Sequence, residues 1–108
     1  MTLSDIYTIL TGITGFKDKV AYRAFEKGHA PSLPYICYMA TQTNNFKADN
    51  KVYEVLQDVD IELYTRKKDT ASEALIEAAL DANDIVWDKY EDYIDDENMY
   101  MITYEVEV

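Results

Sequence analysis

Cysteine is almost absent: Cys37 is the only one in 108 residues. A lone thiol excludes an internal disulfide and any thiolate metal cluster, and it suits a reducing compartment. Glycine is nearly as scarce. Gly12, Gly15 and Gly28 are the only three, and G-I-T-G at 12–15 lacks the lysine that a phosphate-cradling loop uses. The single histidine, His29, falls in a proline-bounded loop with no adjacent serine or cysteine to form a dyad. Cys37 sits in an apolar run, where a thiol is expected to be buried and inert. No catalytic constellation emerges from these residues, so neither an enzyme nor a cofactor is expected. The apolar runs are too short to cross a bilayer, and M-T-L-S-D-I-Y-T-I-L has no basic leader, so neither a membrane span nor a secretory signal is expected.

Positive charge is also in short supply. Ten Lys and Arg stand against 21 Asp and Glu, a formal net charge of -11, which argues against nucleic acid or an anionic membrane as ligand. The imbalance is uneven along the chain: residues 1–51 carry a net of +2 and residues 52–108 a net of -13. Two groups of acids stand out. Asp58, Asp60 and Glu62 share one face of a strand, while Glu91, Asp92, Asp95, Asp96 and Glu97 crowd a turn. Neither has the glycine-containing spacing of a calcium loop, so no metal site is expected.

What the chain does have is a strand-rich pattern. One domain over residues 1–108 can bury roughly two-thirds of its unfolded surface, enough for a core without staples. The stretch from Tyr35 to Arg66 reads as a long β-hairpin. In its second arm Val59, Ile61 and Leu63 alternate with Asp58, Asp60 and Glu62, the period-two signature of a half-buried strand. Its first arm is Tyr35–Thr43. The connecting residues Asn44, Asn45, Phe46, Lys47, Ala48, Asp49, Asn50 and Lys51 read as a polar loop with one aromatic knob, Phe46.

Around this hairpin, Leu3, Ile6, Tyr7 and Leu10 form the stripe of a short helix that Gly12 and Gly15 help to stop, and Lys19–Phe25 reads as a strand. Thr70 and Glu73 have the spacing of a capping box, opening a helix with Leu75, Ile76, Ala79, Leu80 and Asn83 on its inner stripe and Glu73, Glu77, Asp81 and Asp84 facing away. The C-terminal third reads as two strands joined by the acidic turn D-D-E-N. Tyr100, Ile102, Tyr104, Val106 and Val108 form the inward set of the last one. This order predicts an α+β fold: a mostly antiparallel sheet of about five strands, two helices on one face and the long hairpin at its centre. Ten tyrosines, several interleaved with acid, point to protein rather than nucleic-acid partners.

Three phrases, P-S-L-P-Y-I-C-Y (31–38), T-N-N-F-K-A-D-N-K-V-Y (43–53) and I-E-L-Y-T-R-K-K-D (61–69), make the chain similar to the small tail-completion proteins of long-tailed bacteriophages and prophages. It resembles most the tail terminators, or head-to-tail joining proteins. The resemblance implies a structural protein that closes into a hexameric ring on the last ring of the tail tube, ends its growth and presents a joining surface to the head connector. Its partners would then be the tail tube protein, a head-completion or connector protein and copies of itself. It would act in the host cytoplasm during assembly and end up in the virion tail. On this reading Asn44, Asn45, Phe46, Lys47 and Asp49 form a partner-binding loop, and Asp58, Asp60 and Glu62 or Asp95, Asp96 and Glu97 line a ring or channel surface that repels DNA. The charge also admits a second reading, an acidic DNA-mimic that inhibits a DNA-binding enzyme.

Overall fold

The structure, a computed structural model, describes residues 1–108. Its elements run α1 (Leu3–Thr11), β1 (Val20–Tyr22), β2 (Tyr35–Thr43), β3 (Phe46–Ala48), β4 (Lys51–Glu54), β5 (Gln57–Thr65), α2 (Thr70–Ala82), β6 (Trp87–Ile94) and β7 (Met99–Glu107), with a single 3-10 turn at Asp95–Glu97 before β7. Five strands form one sheet in the order β1-β2-β5-β7-β6, and β3 with β4 makes a separate two-stranded ribbon. The α+β class and the mostly antiparallel sheet agree with the sequence reading. The sheet is not wholly antiparallel, however, because β1 runs parallel to β2 through Val20 opposite Ile36 and Tyr22 opposite Tyr38.

Alternation decides which face is covered. Val59, Ile61 and Leu63 of β5 are fully buried, and their cross-strand partners Ile36 and Tyr38 on β2 and Ile102, Tyr104 and Val106 on β7 point the same way. Ile6 and Leu10 of α1 and Ile76 and Leu80 of α2 complete this core, together with Ile13, Phe16 and Ile85 from the connections. Both helices therefore cover one face of the sheet, and the other face is left to Asp58, Asp60, Glu62 and their neighbours.

Helix α1 is capped by Thr2, whose hydroxyl accepts from the Asp5 amide while the Asp5 carboxylate accepts from the Thr2 amide. Tyr7, expected on the inner stripe, is 44% exposed and reaches sideways to the Tyr38 ring at 6.2 Å. Helix α2 departs further from expectation. Its cap is Asp69 rather than Thr70, with the Asp69 carboxylate accepting from the Ser72 amide and hydroxyl. That start fixes a face on which Ser72, Glu73, Ile76 and Leu80 are buried, while Leu75 lies outward at 43% exposure.

The central hairpin is the main correction. Its arms do lie side by side as β2 and β5, but the polar stretch between them is not a loop. It folds into the β3–β4 ribbon, closed by a two-residue turn in which Asp49 (φ 52°) and Asn50 (φ 63°) are both left-handed. Aspartate and asparagine tolerate that region, and two consecutive positive φ values match the twist of flanking strands. The molecule measures 49 × 28 × 23 Å. The four residues of β4 give the ribbon a length of about 13 Å.

Candidate functional site

Two surfaces stand out once the chain is folded, and both grow from the same end of the sheet. The first is the uncovered sheet face. Antiparallel register sets Asp58 of β5 opposite Glu107 of β7 and Asp60 opposite Glu105, and sets Asp88 of β6 opposite Glu105 on the far side. Together with Asp84 after α2 they line a trough of about 770 Å³ whose remaining walls are Thr41, Gln42, Val86 and Val106. Six carboxylates thus face one space with no cation among its lining residues. The four ion pairs of the molecule use only Lys68 and Lys89 and lie elsewhere. Neutral amides give some relief, since Gln42 Nε2 donates to Asp58 Oδ2 at 3.0 Å and Asn44 Nδ2 to Glu107 Oε2 at 2.8 Å. Burial, and then the charge of Asp58, push the Asp60 carboxyl above its ordinary value. No three acids converge closely enough to form a metal cage.

Like charges facing each other across strands are destabilising. Asp60→Asn should therefore raise stability at neutral pH by about 0.5 kcal/mol. Because the folded carboxyl binds its proton more readily than the unfolded one, this advantage should be present above the raised value and fade as pH falls through it. Chemical denaturation at pH 7 and pH 4 measures both halves of that expectation, and a loss of stability at pH 7 would contradict the cross-strand repulsion.

Only part of the expected acidic surface comes together. Asp58 and Asp60 lie in the trough. Glu62 lies further along the same face, between Cys37 and Thr103, and accepts from the Tyr64 hydroxyl at 2.8 Å. Asp95, Asp96 and Glu97 belong to the 3-10 turn where β6 meets β7. The register places that turn at the opposite end of the strands from Asp58 and Glu107, so the two acidic groups form no common surface. Glu97 instead borders an apolar hollow with Phe25, Tyr35, Cys37, Tyr64, Ile94 and Met99. Burial, and then Glu62, push the Cys37 thiol up to about 11, which keeps it protonated and unreactive at neutral pH. His29 is exposed in the loop that precedes β2.

Asp84, Asp88, Glu105 and Glu107 were not singled out by sequence reasoning. The E-V-E-V ending does alternate, so Glu105 and Glu107 could be placed opposite Val106. What no single-sequence pattern reveals is that β7 lies beside β5 and β6, which is what gathers the carboxylates.

The second surface is the ribbon. Phe46, Val52, Tyr53 and Val55 are 60%, 51%, 63% and 61% exposed, and Lys47 and Lys51 stand among them near the tip. Of the expected contact residues, Phe46, Lys47 and Asp49 are on the projecting part. Asn44 and Asn45 stand at the foot of the ribbon and tie it to the body. The Asn44 amide donates to the Leu56 carbonyl at 2.8 Å, and Asn45 Oδ1 accepts from the Leu56 amide at 3.1 Å. Val52, Tyr53 and Val55 were missed because the alternation of K-V-Y-E-V is too short to announce a strand.

A third cluster is structural. The Glu73 side chain is 3% exposed between Lys68 and Lys89. Lys89 Nζ donates to Glu73 Oε1 at 3.0 Å and to Glu77 Oε2 at 2.6 Å, and the Tyr104 hydroxyl donates to the same Glu77 oxygen at 2.8 Å. Lys68 Nζ lies 2.8 Å from Glu73 Oε2, and this contact, with that to Glu91, raises the Lys68 ammonium above its ordinary value. This clasp joins α2 to β6 and β7 on the covered side of the sheet, away from the trough.

The chain matches no family model, and no curated protein or solved structure is significantly similar to it.

Proposed function

We propose that the protein is a structural subunit that closes a phage-type tail tube: it assembles as a ring on the tube end, stops polymerisation and offers a surface to the head connector. The observation that carries this reading is the ribbon, about 13 Å of paired chain apart from the main sheet, with Phe46, Val52, Tyr53 and Val55 at or beside it more than half exposed. Val52 and Tyr53 are neighbours in β4 and point to opposite faces, so apolar side chains are open to a partner on both faces of the ribbon. The acid trough suits the same role, since a closed ring needs a second patch on each copy, different from the ribbon, for a neighbour to pack against. Mixing the protein with tail-tube subunits and imaging the tubes tests the proposal directly. Tubes of fixed length ending in an added ring are the expected result; tubes that keep growing with bare ends would overturn it.

One observation favours a second reading. The trough carboxylates occupy a single continuous face, as a DNA-mimic inhibitor of a DNA-binding enzyme requires, although such a mimic has no evident use for an apolar ribbon. Retention of a nuclease or polymerase on the immobilised protein, with tube subunits passing through, would establish the mimic instead.

A further inference from the structure

The ribbon and the trough are complementary but cannot satisfy each other within one chain. Lys47 and Lys51 make no ion pair, and neither do the trough carboxylates. Thr41, Gln42 and Asp58 place the trough at the foot of the ribbon, whereas the lysines lie near its tip. The tight Asp49–Asn50 turn and the clamp at Asn44 and Asn45 hold the ribbon extended. A two-stranded ribbon by itself is marginal in water, so docking would both cover its apolar side chains and steady its pairing.

We infer that the occupant of the acid trough is the ribbon tip of a second copy of this chain, with Lys47 and Lys51 seated against Asp60, Asp88 and Glu105 of the neighbour. Charge complementarity selects this partner: the ribbon tip, residues 47–51, brings two lysines against the single acid Asp49 of its turn, a net of +1, to a face that has six carboxylates and no cation. Because each copy offers a tip and a trough on different patches, the contact is heterologous and propagates from copy to copy until rotation closes it. The inference rests on the ring reading for that closure, but the contact itself follows from the two surfaces.

Charge reversal tests it. Lys47, Lys51, Asp88 and Glu105 are all exposed, so the folded monomer should tolerate their replacement, which circular dichroism verifies. The doubly reversed ribbon (Lys47→Glu with Lys51→Glu) and the doubly reversed trough (Asp88→Lys with Glu105→Lys) should each weaken self-association by about a hundredfold or more in analytical ultracentrifugation, because each sets like charges together. Mixed in equal amounts, the two variants should associate again, since the native ribbon then meets the native trough and the reversed ribbon the reversed trough. Added salt should weaken the wild-type contact. Reversed variants that associate like wild type, a mixture that stays dissociated, or a wild type that remains monomeric at its highest attainable concentration would each overturn the inference. Failure here with tubes still capped would leave the ring reading standing with a different interface. Restored association in the mixture with tubes uncapped would sustain the contact and remove the tail reading.

Discussion

Phe46→Ala should abolish capping of tube ends at concentrations where the wild type caps them all, while leaving the fold intact. The side chain is 60% exposed at the start of β3, so its truncation removes little buried area and should change unfolding free energy by no more than about 0.5 kcal/mol. An exposed aromatic that becomes buried at an interface is a different matter: truncating such an anchor costs about 2 kcal/mol or more, which is roughly a thirtyfold loss of affinity. Titrating tubes with the variant and counting capped ends by electron microscopy reads that loss. Self-association measured without tubes locates the anchor. If association is unchanged, Phe46 sits against the tube; if it is weakened, Phe46 sits against the neighbouring copy. Capping at wild-type concentrations would show that the projecting aromatic has no part in assembly.

The second large effect concerns stability. Lys89→Met should lower unfolding free energy by about 2 kcal/mol, with a fall in Tm of roughly 10 °C. Removing one partner of a buried charge pair costs about 3–5 kcal/mol, and the lower figure applies because the Lys89 side chain is itself 36% exposed, so solvent screens part of the loss. What makes the effect large is Glu73, which is 3% exposed and would keep one of its two lysine partners, Lys68. The substitution also removes the ammonium that lies 5.8 Å from the Trp87 ring and 5.9 Å from the Tyr104 ring.

The pH profile gives a second readout of the same clasp. Burial alone would raise the Glu77 carboxyl, but hydrogen bonds from Lys89 and Tyr104 and the Lys89 charge outweigh it and hold the group below its ordinary 4.5. A carboxyl lowered on folding contributes stability that is present above the unfolded value and lost as pH falls through the folded one. Hydrogen bonds to Glu77 and Glu73 likewise raise the Lys89 ammonium above its ordinary 10.5, so that contribution is present below the unfolded value and lost as pH climbs through the folded one. Wild type should therefore lose stability below about pH 4.5, and Lys89→Met should show a smaller acid loss. Superimposable denaturation curves for the two proteins across that range would show the clasp to be energetically idle.

Much of the architecture was legible in the residues. Val59, Ile61 and Leu63 against Asp58, Asp60 and Glu62 announced both a strand and which of its faces is buried, because side chains alternate strictly along an extended chain. Leu3, Ile6 and Leu10 announced the first helix in the same way. Helix α2 was read with its frame turned. The Thr70–Glu73 spacing points to a cap that Asp69 provides, and the apolar stripe through Leu75 and Ile76 leaves Glu73 facing away, as carboxylates on an amphipathic helix usually do. Glu73 is buried instead because Lys68 and Lys89 pair with its charge.

The ribbon was half legible. Asp49 and Asn50 were recognised as residues that tolerate positive φ, and Phe46 as an isolated aromatic. That the connection pairs with itself rather than looping depends on Lys47 meeting Val52 and Ala48 meeting Lys51, on segments too short to carry a readable period. The sequence by itself determined composition, charge, the faces of its longer strands and the existence of two helices, since each of these depends on neighbours within a few residues. Only the tertiary structure decided that β7 lies between β5 and β6. That adjacency gathers six separated carboxylates into one trough, moves Asp95, Asp96 and Glu97 to the far end, and sets the cationic ribbon tip out of reach of its own acidic face. Strand order is a matter of long-range pairing, and local alternation fixes which way a side chain points without fixing which strand it will lie beside.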